Sequence, residues 1–399
     1  MKKRILVLEQ QSWSGGAQRV LEAVLSSIKD DFDPVIAFPD KGPFSTALQK
    51  RHIEALTFPL GKYPPGKKSY SDMMVFALRT LLCAAKLARI IRRKRISLVY
   101  INGPRCLPAG VMAAWLTGRP ALFHLHLILT RKSEIFVTML CARHATKIVA
   151  CSEAAAESLL NADRRLVSKL DVFYSPLLKE FRGVRIPIEH LPPSDHITIG
   201  IVGRITEVKG HRVLFDALTK LDPEVRNKIR IIIVGAPAQD CLEDLRYARD
   251  LEQYGMEIGF QEKISWTGFC EDLDRCYAMM DVLVQPSLSE ALSLSILEAL
   301  QRGIPIIASR TGGIPEIVRH EFNGLLCPTG DDNELARQVE RFVKDPSLRE
   351  RLRLGAQTRL DDRFSLTTFK QNIRRVVYRL CGDDSNEAAA AHEGLSAWK

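Results

Sequence analysis

Short apolar runs alternate with longer helical stretches along most of this chain, and no other feature limits the possible folds as strongly. The first example is "RILVLE" (4–9), which is followed by a glycine turn and the amphipathic stretch "SWSGGAQRVLEAVLSSI" (12–28). Strands that alternate with helices form a parallel sheet with helices on both faces. The sequence therefore predicts an α/β protein.

The alternation occurs twice, with a break at "IPIEHLPPSDH" (186–196), which contains three prolines and no helical period. Such a segment is typical of a linker. The strands predicted before it are residues 4–9, 33–39, 97–103, 120–126 and 147–152, with helices that include 72–95 and 106–117. The strands predicted after it are 197–204, 229–235, 263–268, 282–287 and 304–309, with helices at 211–221, 240–254, 271–279, 294–302, 314–319 and 331–343.

Two Rossmann-like domains that face a central cleft account for this pattern, and 399 residues are enough for both. The ligands of such sheets lie at the carboxyl ends of the strands. We assign residues 1–190 to the first domain and 191–362 to the second. We expect residues 363–381 to form a helix that crosses back to the first domain, and 382–399 to form a disordered tail of low complexity.

Composition narrows the class of protein. Hydrophobic residues make up 46% of the chain and charged residues 26%, as in an ordinary globular enzyme. No apolar run approaches the roughly 20 residues that span a bilayer, and the run Ile5–Leu8 is too short for the core of a signal peptide. We therefore expect a cytoplasmic protein. The nine cysteines form no C-x-x-C pair, which argues against a metal site and a disulfide framework.

Positive charge is concentrated in the first half of the chain. Residues 1–190 carry a formal charge of +15, whereas residues 191–399 carry −5. The basic half should attract an anionic partner, such as a phospholipid surface, a phosphate-bearing acceptor or a nucleic acid. No nucleic-acid-binding motif accompanies the charge, so we do not expect a nucleic acid.

Two basic segments are candidates for contact with an anionic membrane. In 79–97, Arg79, Lys86 and Arg93 recur at intervals of seven and share one helical face. One interpretation is a helix that lies on the membrane surface. The other is a helix that covers the sheet and exposes a solvated basic face. The loop "GKYPPGKKSY" (61–70) is a second basic segment that could guide a lipid phosphate or a membrane edge.

The loop after the strand 197–204 is a candidate phosphate site. In "IGIVGRITEVKGHRVLFDAL", Arg204 and Lys209 precede a helix that opens near Gly210. A helix N-terminus with two nearby cations suits a pyrophosphate group. The spacing is not that of a Walker A loop, and two solvated surface cations would give the same pattern.

Two carboxylates follow the strand 282–287. In "SEALSLSILEAL", Glu290 falls in the loop and Glu298 in the helix. A capping box formed by Ser295 and Glu298 would account for Glu298 without any function, but it would leave Glu290 unexplained. The strand 304–309 leads into a further Gly-rich loop, so three such junctions would meet at one edge of the sheet.

Four segments resemble, in order along the chain, motifs of the retaining family 4 glycosyltransferases, which have the GT-B fold. The segments are "SGGAQRV" (14–20), "FHLH" (123–126) with "ATKIVACSEAAAESL" (145–159), "VGRITEVKG" (202–210), and "PSLSEALSLSILEAL" (286–300) with "GIPIIASRTGGIPEIV" (303–318). The family's E-x7-E motif corresponds to Glu290 and Glu298. The resemblance extends over about residues 4–380. It implies transfer of a sugar from a nucleotide diphosphate to a hydroxyl group, with retention of configuration.

The resemblance also implies a role for each motif residue. Arg204 and Lys209 would bind the donor's diphosphate and offset the negative charge that grows on the leaving nucleotide, so neither a metal nor another cofactor would be needed. Glu298 would hydrogen-bond the ribose, and Glu290 the donor sugar. Backbone N–H groups at the helix start would meet the sugar and the phosphates. The remaining donor-binding residues would be Gly15, Gly16, Gly203, Leu292, Ser293, Leu294 and Ser295.

The histidine of the "FHLH" segment that matches the family is His126. It would lie near the donor sugar and the acceptor, where its carbonyl or imidazole could steady a developing oxocarbenium ion. A packed histidine at a strand end is the alternative, and it is the more natural interpretation for His124. Gly16 would let the N-terminal loop approach a phosphate closely, because it has no side chain.

One segment departs from the family pattern. The family commonly has E-G-F-G where this chain has 290–293, "EALS". Either the loop uses ordinary φ and ψ values, or the pocket prefers a different donor. UDP is the commonest nucleotide in the family and GDP the next. The family suggests a lipid-linked or cell-envelope saccharide as the acceptor, with the protein bound peripherally at the inner face of the plasma membrane. A GT-B scaffold that binds a sugar nucleotide without catalysis is the alternative.

Overall fold

The computed structural model describes residues 2–13, 15–60, 70–179, 196–239, 241–270 and 272–382. The predicted linker, apart from its last residue, lies outside the described residues, as do the loop 61–69 and residues 383–399 of the predicted tail. No helix in the described ranges is long and apolar enough to cross a bilayer.

The chain forms two compact units. Unit 1 comprises Met1–Leu178 together with Asp362–Lys399, and unit 2 comprises Lys179–Asp361. The first boundary falls between Leu178 and Lys179, earlier in the chain than the boundary that we predicted after residue 190. The backbone N–H of Leu177 bonds the carbonyl of Phe364 in unit 1 (2.9 Å), whereas Lys179 pairs with Asp274 in unit 2 (3.2 Å).

Unit 1 is built on a parallel sheet. Its strands are β1 (Lys3–Glu9), β2 (Phe32–Phe38), β3 (Glu54–Thr57), β4 (Ile96–Asn102), β5 (Ala121–Leu125), β6 (Lys147–Ala150) and β7 (Leu170–Val172). They lie in the order β3-β2-β1-β4-β5-β6-β7. The four residues Ile5–Leu8 of β1 are all fully buried. A continuous buried run of this kind is typical of a parallel strand that is covered on both faces.

Helices connect these strands and cover the sheet. They are α1 (Gly16–Ile28), α2 (Pro43–Lys50), α3 (Tyr70–Lys94), α4 (Leu107–Thr117), α5 (Lys132–Ala142) and α6 (Glu153–Leu160). The helix α4 packs between α3 and α5, so these three lie side by side.

Unit 2 repeats the architecture. Its strands are β8 (Ile197–Val202), β9 (Ile229–Val234), β10 (Ile264–Gly268), β11 (Val282–Gln285), β12 (Ile306–Ser309) and β13 (Gly324–Cys327). They form a parallel sheet in the order β10-β9-β8-β11-β12-β13. Its helices are α7 (His211–Thr219), α8 (Pro223–Asn227), α9 (Leu242–Glu257), α10 (Leu273–Ala278), α11 (Leu294–Gln301), α12 (Asp332–Lys344) and α13 (Pro346–Ala356).

The last helix of the described chain, α14 (Leu366–Cys381), belongs to unit 1. It packs against α1. Phe369 is buried, and the ring of Tyr378 lies edge-on to Phe32, with centroids 5.1 Å apart. Arg374 pairs with Asp31 at 2.9 Å. The chain therefore returns to its first half after unit 2 is complete.

All ten strands predicted from the sequence are present, with ends that differ by up to two residues. The strands β3, β7 and β13 were not predicted. The predicted helix 314–319 is only a 3-10 turn, Ile314–Glu316. The turn does not continue as a helix, because the backbone N–H of Arg319 donates to the side-chain oxygen of Asn323 (2.7 Å).

Candidate active site

The sheet of unit 2 has a switch point between β8 and β11. From β8 the chain adds β9 and β10 on one side, and β11 to β13 follow on the other side. Open parallel sheets bind their ligands outside the carboxyl ends of such strands. The loops that leave β8 and β11 at those ends carry Lys209 and Glu290.

A left-handed glycine brings these two loops together. Gly210, directly before α7, has a φ of +73°, which L side chains rarely adopt. A Cβ atom here would lie 1.9 Å from the carbonyl oxygen of Pro286. Beside this contact, the backbone N–H of Leu288 bonds the carbonyl of Val208 (2.8 Å). The motif therefore has glycine directly after Lys209, because the backbones of the two loops touch at Gly210.

Lys209 and Glu290 form an ion pair at this point, with 2.5 Å between Nζ and Oε2. Only 26% of the lysine side chain and 12% of the glutamate side chain are exposed. The hydroxyl of Ser287 also contacts the same carboxylate oxygen, at 3.4 Å. The carboxylate therefore holds the ammonium group at the switch point, and an anionic ligand that enters would compete with it for the cation.

The Gly-rich loop after β12 completes the arrangement. The N–H of Gly313 donates to the carbonyl of Glu290 (3.0 Å), and the hydroxyl of Thr311 donates to the carbonyl of Leu288 (3.3 Å). The three strand–loop–helix junctions therefore meet at one edge of the sheet, as the sequence predicts.

The helix α11 begins beside this loop, and its N-cap is Ser293. The capping box predicted for Ser295 and Glu298 is wrong, because the helix starts at Leu294 and Ser295 already lies within its first turn. The hydroxyl of Ser295 instead donates to Oε1 of Gln285 on β11 (3.0 Å). The free N–H groups at the start of α11 thus lie at the carboxyl end of β11.

The departure from the E-G-F-G pattern does not strain the backbone. Among the described residues, the non-glycine residues with positive φ are His52, Arg95 and Glu321, so residues 290–293 use ordinary φ values. Ala291 and Leu292 are buried. Of the two explanations that the sequence left open, the structure supports ordinary backbone geometry.

Glu298 lies on α11 in different surroundings from Glu290. It is buried, and its Oε2 accepts a hydrogen bond from the hydroxyl of Tyr277 on α10 (3.0 Å). One turn later, Arg302 pairs with Asp274 of α10 and bonds the carbonyl of Glu298 (2.5 Å). These contacts fix α11 against α10 and so fix the position of Glu298.

Arg204 and Gly203 follow β8. A Cβ atom on Gly235, at the end of β9, would lie 1.9 Å from the carbonyl oxygen of Gly203. Arg204 is exposed, and in the described part of the chain no hydrogen bond joins it to Lys209 or Glu290. Burial raises the pKa of Asp244 on α9, and the charge of Arg204 partly offsets that rise. The structure therefore pairs Lys209, but not Arg204, with Glu290.

The predicted glycines of unit 1 form the start of α1. Gly16 is the first residue of the helix, and Gly15 is its N-cap, with an extended φ of −152°. A Cβ atom on Gly15 would lie 3.0 Å from Oε1 of Gln18. The amide of Gln18 reaches the side chain of Glu9 at the end of β1 (2.9 Å).

A buried hydrogen-bond network lies at the carboxyl ends of β1, β4 and β5. Glu9 is fully buried. Its carboxylate accepts hydrogen bonds from Asn102 Nδ2 (2.5 Å), Gln18 Nε2 (2.9 Å) and the N–H of Gln11 (3.0 Å). The amide oxygen of Asn102 lies 2.7 Å from Nε2 of His126. Burial raises the pKa of Glu9 to about 7 in spite of these bonds, which lower it.

This network sets the tautomer of His126. Above about pH 7, the pKa of Glu9, its carboxylate is ionised and only accepts hydrogen bonds, so Asn102 presents its NH₂ group to Glu9 and its oxygen to the histidine. The Nε2 atom of His126 must then carry the proton, and Nδ1 is an acceptor. Burial lowers the pKa of His126 to about 3, so the ring is neutral at pH 7.

His124 is packed beneath His126. It is fully buried, its Nδ1 lies 2.5 Å from the hydroxyl of Tyr100, and the two histidine rings are 3.8 Å apart between centroids. Burial lowers the pKa of His124, and the neighbouring His126 lowers it further. His126 is partly exposed, so it is the one of the two that a ligand can reach.

No group of three His, Cys, Asp or Glu side chains that could hold a metal ion occurs among the described residues. The chain contains two D-x-D strings, 31–33 and 272–274, and their aspartates make structural contacts. Asp31 pairs with Arg374, Asp33 with Arg4, and Asp274 with Arg302, while Asp272 caps α10.

Sequence families provide an independent comparison. Residues 14–168 match the family described as "Glycosyl transferase 4-like domain", and residues 185–359 match "Glycosyl transferases group 1". The chain belongs to the family 4 glycosyltransferases with the GT-B fold. The two matches contain His126 and the ion pair of Lys209 with Glu290.

The curated relatives of this family member align over about half of the chain. D-inositol 3-phosphate glycosyltransferase from Saccharomonospora viridis is 34% identical over 212 residues, which are 51% of this chain and 46% of that protein. N-acetyl-alpha-D-glucosaminyl L-malate synthase from Bacillus anthracis is 25% identical over 185 residues, 46% of each chain. The chain thus spans less than half the length of these relatives.

Solved structures match over nearly the whole chain. Anabaena Alr3699/HepE, crystallised with UDP and glucose, is 25% identical with a TM-score of 0.76, over 94% of this chain and 98% of that chain. Sucrose-phosphate synthase from Thermosynechococcus elongatus is 18% identical with a TM-score of 0.74, over 96% and 100%. The second comparison shows the shared fold.

Three residues that hold the candidate side chains in place were not predicted from the sequence. Glu9 and Asn102 are the last residues of two buried strands, and a polar residue at the carboxyl end of a parallel strand was a signal that could have identified both. Tyr277 gave no such signal, because a buried tyrosine on a short helix is an ordinary core residue.

Proposed function

We propose that this protein transfers a sugar from a nucleotide diphosphate, with UDP as the favoured nucleotide, to a hydroxyl group of an acceptor. The observation that carries the proposal is the contact of Lys209 with Glu290, 81 residues apart, at the switch point of unit 2. A cation beside a carboxylate suits the two parts of a nucleotide sugar, its diphosphate and its sugar hydroxyls. The UDP and glucose in the Anabaena protein support the choice of UDP.

In this proposal the donor separates the ion pair. The diphosphate forms an ion pair with Lys209, and the carboxylate of Glu290 then accepts hydrogen bonds from the donor sugar. The free N–H groups at the start of α11 add partial positive charge. Arg204, exposed on the same loop as Lys209, is the second cation for the diphosphate. Glu298, fixed by Tyr277, accepts hydrogen bonds from the ribose.

The proposed transfer needs no metal ion. The C1–O bond to the diphosphate breaks as the acceptor oxygen attacks C1 from the same face. The acceptor's proton passes to an oxygen of the leaving phosphate, so the products are the glycoside and the nucleoside diphosphate. Lys209 and Arg204 stabilise the charge that develops on that phosphate. Attack from the same face needs no covalent intermediate, so the proposed role of Glu290 is to accept hydrogen bonds from sugar hydroxyls, as it accepts them here from Lys209 and Ser287.

The proposed role of His126 is to steady the positive charge that develops at C1. Its ring is neutral, and Nδ1 offers a lone pair because Asn102 occupies Nε2. Glu9 acts through Asn102 and is therefore a positioning residue. If His126 takes part in transfer and not in nucleotide binding, His126→Ala will lose transfer while UDP affinity is kept.

We further propose an anionic acceptor, such as a lipid-linked or cell-envelope saccharide, and a position on the cytoplasmic face of the membrane. The basic first half supports an anionic acceptor. The names of two relatives point the same way, because inositol phosphate and malate both carry negative charge.

The test is NMR spectroscopy of UDP-glucose and other UDP-sugars with the protein and candidate acceptors. The proposal predicts consumption of one donor, and a product with the α configuration of that donor. A β product would contradict retention. Binding of UDP without consumption of any donor would favour the alternative, a scaffold that binds a sugar nucleotide without catalysis.

A further inference from the structure

The largest apolar surface of the described chain lies on three helices of unit 1. Nineteen large apolar side chains are exposed among the described residues, and ten of them belong to α3, α4 and α5. The exposed side chains in unit 2 are fewer and are spread over many elements. We call the ten residues the apolar patch; they are Met74, Val75, Leu78, Leu81, Leu82, Trp115, Leu116, Phe136, Val137 and Leu140.

The helix α3 is apolar on both of its faces. Positions 74, 75, 78, 81 and 82 fall within about 120° of one another at 100° per residue, so they form one exposed stripe. The opposite side of the helix is buried against unit 1. Its buried residues are Thr80, Cys83, Ala84, Leu87, Ala88 and Ile91. Packing in unit 1 therefore accounts for one face of α3 and leaves the other without a partner within the described structure.

The neighbouring helices extend the stripe. The helix α4 lies between α3 and α5, and it ends with Trp115, which is 75% exposed, and Leu116. On α5, Phe136, Val137 and Leu140 share one exposed face. Large contiguous apolar patches are rare on soluble proteins and mark a surface that contacts something else.

Basic residues continue the exposed side of α3 toward its C-terminus. They are Arg79, Lys86, Arg89, Arg92 and Arg93, all exposed. Residues 73–95 contain no Asp or Glu. Within the described ranges, Arg79, Lys86, Arg89 and Arg93 have no carboxylate partner, while Arg92 bonds the carbonyl of Leu116 on α4 (2.9 Å). The charge on this face is therefore not neutralised by the protein.

We propose that the apolar patch and these basic residues form a docking surface for an anionic phospholipid bilayer. Aliphatic and aromatic side chains enter the boundary between headgroups and acyl chains, while Arg and Lys attract anionic headgroups. A second copy of the chain suits this surface less well, because two faces of the same positive charge repel each other. The inference deepens the proposed function and rests on it, because a lipid-linked acceptor would be reached from such a surface.

This assignment chooses between the two interpretations of segment 79–97. The helix does cover the sheet, and its exposed face also carries the apolar stripe, which a merely solvated face would lack. The basic loop 61–70 lies outside the described residues except for its last position.

The test is flotation of the full-length protein with vesicles of phosphatidylcholine alone or with about 30% phosphatidylglycerol. One variant carries Leu78→Glu and Leu82→Glu, and a second carries Arg89→Glu and Arg93→Glu. Both pairs are exposed, so we expect folding to be unaffected, which circular dichroism and the UDP-induced rise in Tm would verify. The matched controls on α9 of unit 2 are Leu242→Glu with Met256→Glu, and Arg246→Glu with Arg249→Glu.

We expect the wild type and both controls to float with anionic vesicles, and more weakly as salt rises. The affinity of each test variant for anionic vesicles should be at least about tenfold lower than that of the wild type. Equal binding to both vesicle types, no binding by the wild type, or equal losses in the controls would overturn the proposal. So would a wild-type dimer that Leu78→Glu with Leu82→Glu makes monomeric without any effect on vesicles.

Two readouts separate this proposal from the proposed function. A protein that consumes a UDP-sugar but does not float contradicts only the docking surface. A protein that floats but neither binds UDP nor consumes a UDP-sugar contradicts only the proposed function.

Discussion

Two glutamates show how surroundings give one side chain two different tasks. Glu290 is partly exposed and pairs with a lysine, so it is a ready acceptor at the edge of a site. Glu9 is fully buried and has amide and backbone donors but no cation, so burial raises its pKa to about 7. The first is suited to binding a ligand, and the second to orienting another side chain.

Replacing Glu290 with Gln should separate binding from transfer. The carboxylate competes with the diphosphate for Lys209, so Glu290→Gln should bind UDP at least as tightly as the wild type does. Transfer should fall by about 100-fold, because a charged hydrogen-bond acceptor for the sugar is lost. Calorimetry with UDP and assays of donor consumption would measure both quantities. Glu243→Gln, exposed on α9, is the control. A variant with unchanged transfer would remove Glu290 from the site.

Replacing Glu9 with Gln should change the tautomer of His126. The backbone N–H of Gln11 cannot turn, so the oxygen of the new amide must stay beside it, and its NH₂ group must face Asn102. Asn102 would then reverse its own amide and present NH₂ to Nε2 of His126, which moves the ring proton to Nδ1. Imidazole ¹⁵N NMR above pH 7, where Glu9 is ionised in the wild type, would detect the change, with Glu157→Gln as the control. The same tautomer in Glu9→Gln and in the wild type would refute the network.

Glu9 should also make stability depend on pH. Its pKa is about 7 in the folded protein and 4.5 without its surroundings, so the folded state binds a proton more readily than the unfolded state does. The contribution of Glu9 to stability should therefore fall as pH rises from about 4.5 to 7, by about 3 kcal/mol. The pKa values of Tyr100 and Cys106 lie well above this window. His124 and His126 act in the opposite direction, because burial lowers their pKa values in the folded protein and only the unfolded state binds their protons over this range. Their contribution is common to the wild type and Glu9→Gln. Unfolding by urea across this range should show that the stability of the wild type relative to Glu9→Gln falls by about 3 kcal/mol as pH rises; a constant difference would contradict the raised pKa of Glu9.

At the scale of elements, the candidate site depends on loops that touch through their backbones. Gly210 and Gly268 both have positive φ, +73° and +65°. A Cβ atom on Gly210 would lie 1.9 Å from a carbonyl oxygen, whereas one on Gly268 would meet nothing within 4 Å. Replacement by alanine would therefore strain the backbone at both positions, but it would cause a steric clash only at Gly210.

Gly268→Ala should lower the free energy of unfolding by about 1 kcal/mol, from conformational strain alone. Gly210→Ala should lower it by about 2 kcal/mol more, and it should weaken UDP binding because the β11–α11 loop must move. Urea denaturation and UDP titration of both variants would compare the effects. Equal stability of the two variants would show that the loops do not meet as described.

The strands were predictable because each is a short apolar run that ends at a turn signal, as in "RILVLE" or "IRIIIV". The strand β3, with partly exposed Glu54 to Thr57, and β7, with three residues, offer too little buried sequence for such a signal. The site was predictable only in part. Motif spacing identified Lys209 and Glu290, but no local pattern indicates that two residues 81 positions apart form an ion pair.

At the scale of the whole molecule, the chain ends in the unit where it began. Phe369 of α14 is 1% exposed, and its ring lies 6.3 Å from that of His124 between centroids. The last helix is therefore part of the packing beneath His126, and this part of the chain completes unit 1 only after unit 2 has been made.

Phe369→Ala should lower the free energy of unfolding of unit 1 by about 3–5 kcal/mol, because it leaves a cavity in the core. Phe136→Ala, on the exposed face of α5, should change it by about 0.5 kcal/mol or less. Urea denaturation followed by near-ultraviolet circular dichroism would compare them. A similar, small effect of both substitutions would mean that α14 does not stabilise unit 1.

The most direct test of the account is calorimetric titration of UDP in EDTA, with the wild type, Lys209→Met and a control, Lys220→Met. Lys220 is a second lysine of unit 2, paired with Asp332 away from the switch point. We expect the wild type to bind UDP in EDTA, Lys209→Met to bind it about 10- to 100-fold more weakly, and Lys220→Met to bind it as the wild type does. Binding that requires Mg²⁺, or that is equal in the wild type and Lys209→Met, would contradict a metal-free diphosphate site built on Lys209.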